Sequence, residues 1–437
     1  MNLPDAVIGR AYRSRRGWRL LEEIVDRDRM AGHDGEKEAA TALAEALATA
    51  TGGETQINTF DITGWWRDET TIEVDDRTFD AAHEVVALPN SPASEGSATV
   101  VDVGHGTPEE FEQHDVEDKY VLATRGSPTG HPHVHRWEKY GRSVDGRAAG
   151  FILGSDLEGC LPPTGHIGAP DKAPAAIPGV GVSQEVAAWL RRHEPQTVSL
   201  SVSADSRQAT SQNVEAILGP NTDEEVLVTA HLDAHDVGDG AEDNGLGCAA
   251  LVEIAATLSM VEDDLDTRVR FVGFGAEEVG IQGSARWVSE HDLDAIKAVM
   301  NVDTAGTGRT LRLKTMGFDA VETAVSAAAQ TLSVPVEFHR DIIPDSDHWP
   351  FVQRGVPAVT ANSVRETEGR GWGHTHGDTL DKLDQRDLRE TAIVLSAGVL
   401  QLAAADVDVP HTDPGDIQEL IPENHRRGLE VSGRWPF

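Results

Sequence analysis

Lysine is nearly missing from this chain. Its 437 residues include 7 Lys against 30 Arg, and these 37 bases face 74 Asp and Glu, for a formal net charge of -37. A surface so negative repels phosphate backbones, which excludes nucleic-acid binding driven by counterion release. Attachment to anionic lipid is disfavoured for the same reason, so no membrane partner is expected. Cysteine is scarcer still. Cys160 and Cys248 lie far apart in sequence and offer no disulfide framework, which suits a reducing cytoplasm, the expected location. No uninterrupted apolar run approaches the ~20 residues of a membrane span. Arg13, Arg15 and Arg16 precede the amphipathic pattern GWRLLEEIVDRDRM rather than an apolar stretch, so no secretory signal is expected. Tyrosine occurs only at Tyr12, Tyr120 and Tyr140.

With 39% hydrophobic and 25% charged residues, the chain has the composition of a folded globular protein, and its length suggests two or three domains. The acidity is dispersed: DVEDK, HDVGDGAED, MVEDDLD and LDKLDQRD are far apart. An ordinary acidic enzyme would account for it. Dispersal together with scarce Lys favours adaptation to molar salt, where self-repulsion is screened within about 3 Å.

Residues 17–50 carry helical apolar spacing and strong helix formers. TQINTFDI and ETTIEV read as strands. From residue 63 to about 200, short strands (TVVDVG, KYVLATRG, GFILGS, VSLSVS) alternate with Gly/Pro-rich loops. From Gln212 onward, strands alternate with helices: NVEAILG and EEVLVTAH, then the helix LGCAALVEIAATLSM, then RVRFVGFGAEE, and so on to the helix DLRETAIVLSAGVLQLAAA. That alternation predicts an α/β fold, a mainly parallel mixed sheet sandwiched by helices, with sites beyond the carboxyl ends of the strands.

Ionisable residues collect at those strand ends. VLVTAHLDAHDVGDGAEDNGLG brings His231, Asp233 and Asp243; VRFVGFGAEEVG ends at Glu277–Glu278; AVMNVDTAG brings Asp303; GWGHTHGDTL brings His374 and His376. Any one of these is unremarkable in so acidic a chain. Anions at neighbouring strand ends would repel one another in a crevice, and divalent cations would relieve that repulsion. A mixed His/carboxylate set suits zinc, at ligand distances near 2.0–2.2 Å.

The order of these motifs (HLD at 231–233, GAEDNGLG at 240–247, GAEEVGIQGS at 275–284, NVD at 301–303, HTHGDT at 374–379) resembles the co-catalytic two-zinc aminopeptidase family, which includes bacterial leucyl aminopeptidases and glutamate carboxypeptidase II. The resemblance implies a metal-dependent exopeptidase acting on peptide substrates, most simply an aminopeptidase, with a hydroxide bridging two Zn2+ ions; Co2+ or Mn2+ could occupy the same ligands. It implies Asp243 as the carboxylate shared by both metals, with His231 and Asp303 completing one and Glu278 and His374 the other. Asp233 would orient the His231 imidazole, and Glu277 would be the general base. It also implies a cis peptide at Asp243–Asn244. DSDHWPF at 345–351 resembles a substrate-side segment, making Asp347 and His348 candidate substrate-binding residues. DVEDKYVLATRG, DGRAAGFILGS and AAIPGVGVSQEVAAWL resemble a protease-associated domain. The expected organisation is a zinc-peptidase domain of residues 1–62 and 205–437 with a β-rich, protease-associated-like insert at 63–204. One departure stands out: the Tyr that some relatives carry before the last ligand His is Gly373 here. Alternatives on the same fold are a carboxypeptidase or amidohydrolase, a glutaminyl cyclase-like enzyme, and an inactive receptor-like member. Oligomeric state is open.

Overall fold

The computed structural model describes residues 2–193, 197–364 and 371–437. The chain divides into two compact units: one comprises residues 1–62, 210–373 and 378–421, the other 63–209, 374–377 and 422–437.

The strands of the first unit are β1 (Thr55–Val74), β2 (Val198–Leu218), β3 (Glu225–His231), β4 (Arg268–Phe274), β5 (Ile296–Val302), β6 (Leu311–Lys314), β7 (Val336–His339) and β8 (Ala358–Ser363), and β1 and β2 continue into the second unit. Their order in the sheet is β7-β6-β8-β5-β3-β4-β2-β1. Strand β3 runs parallel to β4 and β5, and β5 runs parallel to β8, while β2 and β6 are antiparallel to their neighbours β4 and β8. The sheet is therefore mixed with a parallel centre, as the alternation of elements predicts. Every residue of β3 and β5 is buried. Their sequences EVLVTAH and IKAVMNV show the near-continuous apolar character of strands covered on both faces.

The helices of the first unit include α1 (Arg16–Ile24), α2 (Asp34–Thr51), α3 (Leu246–Leu258), α4 (Gln282–Glu290), α5 (Asp319–Leu332) and α6 (Gln385–Leu402). Helix α3 is apolar on all sides and packs against α1, α2 and α6 as well as the central strands, so nearly all of it is interior. The stretch Ala241–Asp264 is long and apolar enough to cross a membrane by composition, a length the runs of the bare sequence do not suggest; it is buried within the protein and serves as its core helix. Gly17 is required where α1 meets α3. A Cβ there would lie 2.2 Å from the carbonyl oxygen of Ala249, and its N–H donates to the buried Glu253 carboxylate at 2.9 Å. Phe274, Phe351 and Trp287 form an aromatic chain that ties α4 to the sheet.

The second unit has its own five-stranded sheet, in the order Val85–Ala87, Gly179–Val182, Gly150–Gly154, Tyr120–Thr124, Val100–Asp102. The last four strands are parallel to one another, and Val85–Ala87 pairs antiparallel with Gly179–Val182. Leu88, Val103, Val121, Phe151 and Ile167 belong to its core. Residues 422–437, expected with the peptidase segment, pack in this unit: Arg427 bonds Glu138 at 2.8 Å and Arg434 bonds the Gly168 carbonyl at 2.7 Å.

Candidate metal centre

Strand register sets the position of each ligand. His231 pairs with Phe274 across β3 and β4, and Thr229 pairs with Asn301 across β3 and β5. The carboxyl ends of three parallel strands thus coincide. His231 ends β3, the Gly275–Glu278 turn follows β4, and Asp303 directly follows β5. Asp243 enters from the loop before α3.

His231 Nε2 lies 3.2 Å from Asp243 Oδ1 and 3.8 Å from Asp303 Oδ1. Donor atoms of His231, Asp243 and Glu278 all fall within 4.8 Å of one another, and the three side chains are buried. Two donor atoms each ~2.1 Å from one ion, subtending ~100°, stand about 3.2 Å apart, so the His231–Asp243 separation matches a shared cation. Charge points the same way. Burial works against a protonated His231, yet the carboxylates of Asp243 and Asp303 pull its pKa well above the ordinary histidine value. Burial, with Glu278, Asp347 and Asp303 around it, pushes the Glu277 carboxyl well above the usual range. Burial raises Asp347 to about 7. A site that drives its acids toward neutrality and its histidine toward the cation is short of positive charge, which a divalent metal would supply.

Hydrogen bonds fix the ligands. Ser346 Oγ donates to Asp303 at 2.8 Å, and the Asn301 amide, itself accepting from Thr229, donates to Ser346 at 3.0 Å. Both oxygens of the buried Asp378 carboxylate receive backbone N–H groups, from Glu242 at 2.7 Å and Asp243 at 3.1 Å. The Asp243–Asn244 peptide is cis, and the Asn244 side chain is held by Gly247 N, Thr304 N and the Val302 carbonyl.

Asp233 acts differently from expectation. The His231 Nδ1 faces the backbone carbonyl of Asp233 at 3.0 Å, and the Asp233 carboxylate is 3.8 Å away. That carboxylate instead accepts the N–H groups of Glu277 and Glu278, each at 3.0 Å. Two residues beyond His231, the main chain already reaches the ring, and the side chain is left to fasten the Glu277–Glu278 turn.

Arg29 is a functional residue that the sequence conceals. Its guanidinium is buried and donates to the carbonyls of Leu232 (3.1 Å), Ile24 (2.9 Å), Asp239 (3.0 Å) and Gly240 (2.7 Å). It thereby clamps both ends of the loop from β3 to Asp243. Burial holds its pKa below the ordinary arginine value. His235, on that same loop, lies 2.9 Å from Glu278 through Nε2.

Asp347 accepts from Ser284 Oγ at 2.5 Å through one oxygen, and its other oxygen is buried without a hydrogen-bond partner among the described residues. His348 turns Nε2 toward the Ile343 carbonyl at 2.9 Å, and burial lowers its pKa to about 4. Gly373 closes on the site: a Cβ there would meet Asp243 Oδ2 at 3.3 Å.

His374 belongs to the second unit. There its Nδ1 faces the Thr164 carbonyl at 3.3 Å and its own carbonyl accepts Thr164 N–H at 2.9 Å, with a left-handed φ of 61° that is uncommon for a residue with a Cβ. His376, two residues on, is half-buried.

Comparison with known proteins finds relatives by sequence and by fold. Aminopeptidase YwaD of Bacillus subtilis strain 168 is 27% identical over 318 residues, covering 70% of this chain and 67% of that protein. The chain spans about half the length of several further curated aminopeptidases that it matches. Two solved structures share the fold. The zinc aminopeptidase BSAP of Bacillus subtilis has a TM-score of 0.68 at 24% identity, over 90% of this chain and 94% of that one. A peptidase M28 precursor from Shewanella amazonensis SB2B has a TM-score of 0.77 at 23% identity, over 93% of this chain and 98% of that one. Residues 213–399, which carry all the predicted metal ligands, match the model of peptidase family M28.

Proposed function

We propose that this protein is a zinc-dependent aminopeptidase that uses two metal ions. One observation carries the proposal: buried His231, Asp243 and Glu278 converge at the carboxyl ends of parallel strands, with Asp303 and Glu277 beside them. The similarity to named zinc aminopeptidases supports the choice of metal and of reaction. His231, Asp243 and Asp303 would hold one ion; Asp243, Glu278 and His374 would hold the other. When bound, the metals supply Lewis-acid chemistry, polarising a carbonyl and acidifying water.

The chain's own residues do the rest. Glu277 takes a proton from the attacking water and returns it to the leaving amine. A carboxyl pushed above its usual range by burial is suited to both transfers near neutral pH. Asp233 aims Glu277 by fixing its backbone N–H. Ser346 and Asn301 keep Asp303 in place, and Asp378 fastens the backbone of Asp243. Asp347 and His348 line the substrate side. The second unit is a protease-associated-like insert, a reading supported by its own parallel sheet around Tyr120–Thr124 and Gly150–Gly154.

Hydrolysis of a panel of free and N-blocked peptides in molar salt, with and without chelator, tests this function. Chelator-sensitive release of N-terminal residues from free peptides alone is expected. Activity that survives metal removal, or that requires a free carboxyl terminus instead, refutes it.

A further inference from the structure

We infer that His235 is a ligand of the metal centre, a third imidazole beside His231 and His374. The inference rests on the two-metal function proposed above. The five-ligand pattern read from the motifs leaves His235 out, because it falls outside H-x-D. The structure gives it a place. Its Nε2 lies 2.9 Å from Oε2 of Glu278, and both side chains are at most 4% exposed. This spacing is what two donor atoms ~2.1 Å from one ion adopt at an angle near 90°.

A hydrogen bond between the two groups would give the same distance, so their surroundings decide. The Glu278 carboxylate also belongs to the buried cluster of donor atoms it forms with His231 and Asp243, so the His235 contact falls among groups able to hold an ion. A buried imidazole–carboxylate contact also carries a desolvation cost that a shared cation offsets. The loop that presents His235 is aimed rather than loose. Arg29 accepts the Ala234 N–H at 3.1 Å through its own carbonyl, and its guanidinium holds the carbonyls of Leu232 and Asp239 on either side. Three residues separate His231 from His235, and the clamp holds the backbone of that stretch while His231 faces Asp243 and His235 faces Glu278.

The test is metal binding. Metal-free wild type, His235→Ala and His235→Gln are titrated with Co2+ in molar salt, recording the visible absorption of each equivalent and the dissociation constants by chelator competition. The expected result is two equivalents for wild type, and in both variants a weaker equivalent bound at least 10–100-fold less tightly, with an altered cobalt spectrum. Glutamine retains an N–H donor, so a wild-type affinity and spectrum in His235→Gln would assign His235 a hydrogen-bonding role and overturn the inference. X-ray absorption of the zinc-loaded wild type removes any dependence on the variants' folding. Three imidazoles per two zinc ions support the inference, and two overturn it. A wild type that takes up no tightly held metal overturns the proposed function as well.

Discussion

Replacing Arg29 by Met should damage the protein far from any substrate contact. Methionine keeps most of the apolar stem and removes the guanidinium. Four carbonyl oxygens then lose a charged donor at 2.7–3.1 Å, in a place where the side chain is 2% exposed and water cannot substitute. At roughly 1 kcal/mol net for each bond, the loss is about 4 kcal/mol. For a unit of this size each kcal/mol moves the melting temperature by about 2–4 °C, so Arg29→Met should melt roughly 8–16 °C lower in its metal-free form. Arg29→Lys keeps the charge but replaces a planar fork with a point donor, and should fall between the two. Differential scanning calorimetry in chelator and molar salt measures the shift, and metal titration of the folded fraction measures the second consequence, a weakened site. A drop below about 3 °C, or a lysine variant as unstable as the methionine variant, would show that the guanidinium does not hold the loop.

Three further outcomes follow from the same geometry. Glu277→Gln should keep two bound metals and lose about 10²–10⁴ in kcat, read from metal content and steady-state rates on one preparation; an active variant removes Glu277 from the role of base. Burial raises Glu36 to about 8, above its unfolded value of 4.5, so the folded state binds the proton more tightly and stability of the metal-free chain falls as pH rises from about 4.5 to 8. Glu36→Gln should flatten that part of the denaturation-versus-pH curve, and an unchanged slope would assign it elsewhere. The charge of -37 is expected to make the protein lose structure on dialysis from molar to millimolar salt, monitored by circular dichroism; an intact spectrum at low salt rejects the salt-adapted reading.

Elements with strong periodicity were legible before any coordinates. The alternation after Gln212, the burial of EVLVTAH on both faces and the ligand positions at strand ends all follow from chain pattern, and the parallel register of β3, β4 and β5 realises them. Two long strands were not legible as such. TQINTFDI and ETTIEV are parts of β1, and VSLSVS and NVEAILG are parts of β2, which runs unbroken past the expected boundary at 204–205. The intervening ADSRQATSQ is polar and largely exposed, and a strand without a buried face leaves no period-2 signature. Arg29 was hidden for a different reason. Three of its four partners are backbone carbonyls about 200 positions away, and carbonyls leave no trace in residue identity. Asp378 fared better because it sits inside HTHGDT, yet its service to Glu242 and Asp243 N–H groups depends on a loop geometry that the motif does not encode.

The Arg29 clamp also sets an order of events during synthesis. The arginine leaves the ribosome early, and the carbonyls it must grip are made some 200 residues later. Until then the guanidinium lacks three of its four acceptors, and the loop of His231 and Asp243 is not yet made. The loop of His231 and Asp243 is therefore held by a residue some 200 positions before it, and the site is complete only when those two distant segments have closed on each other.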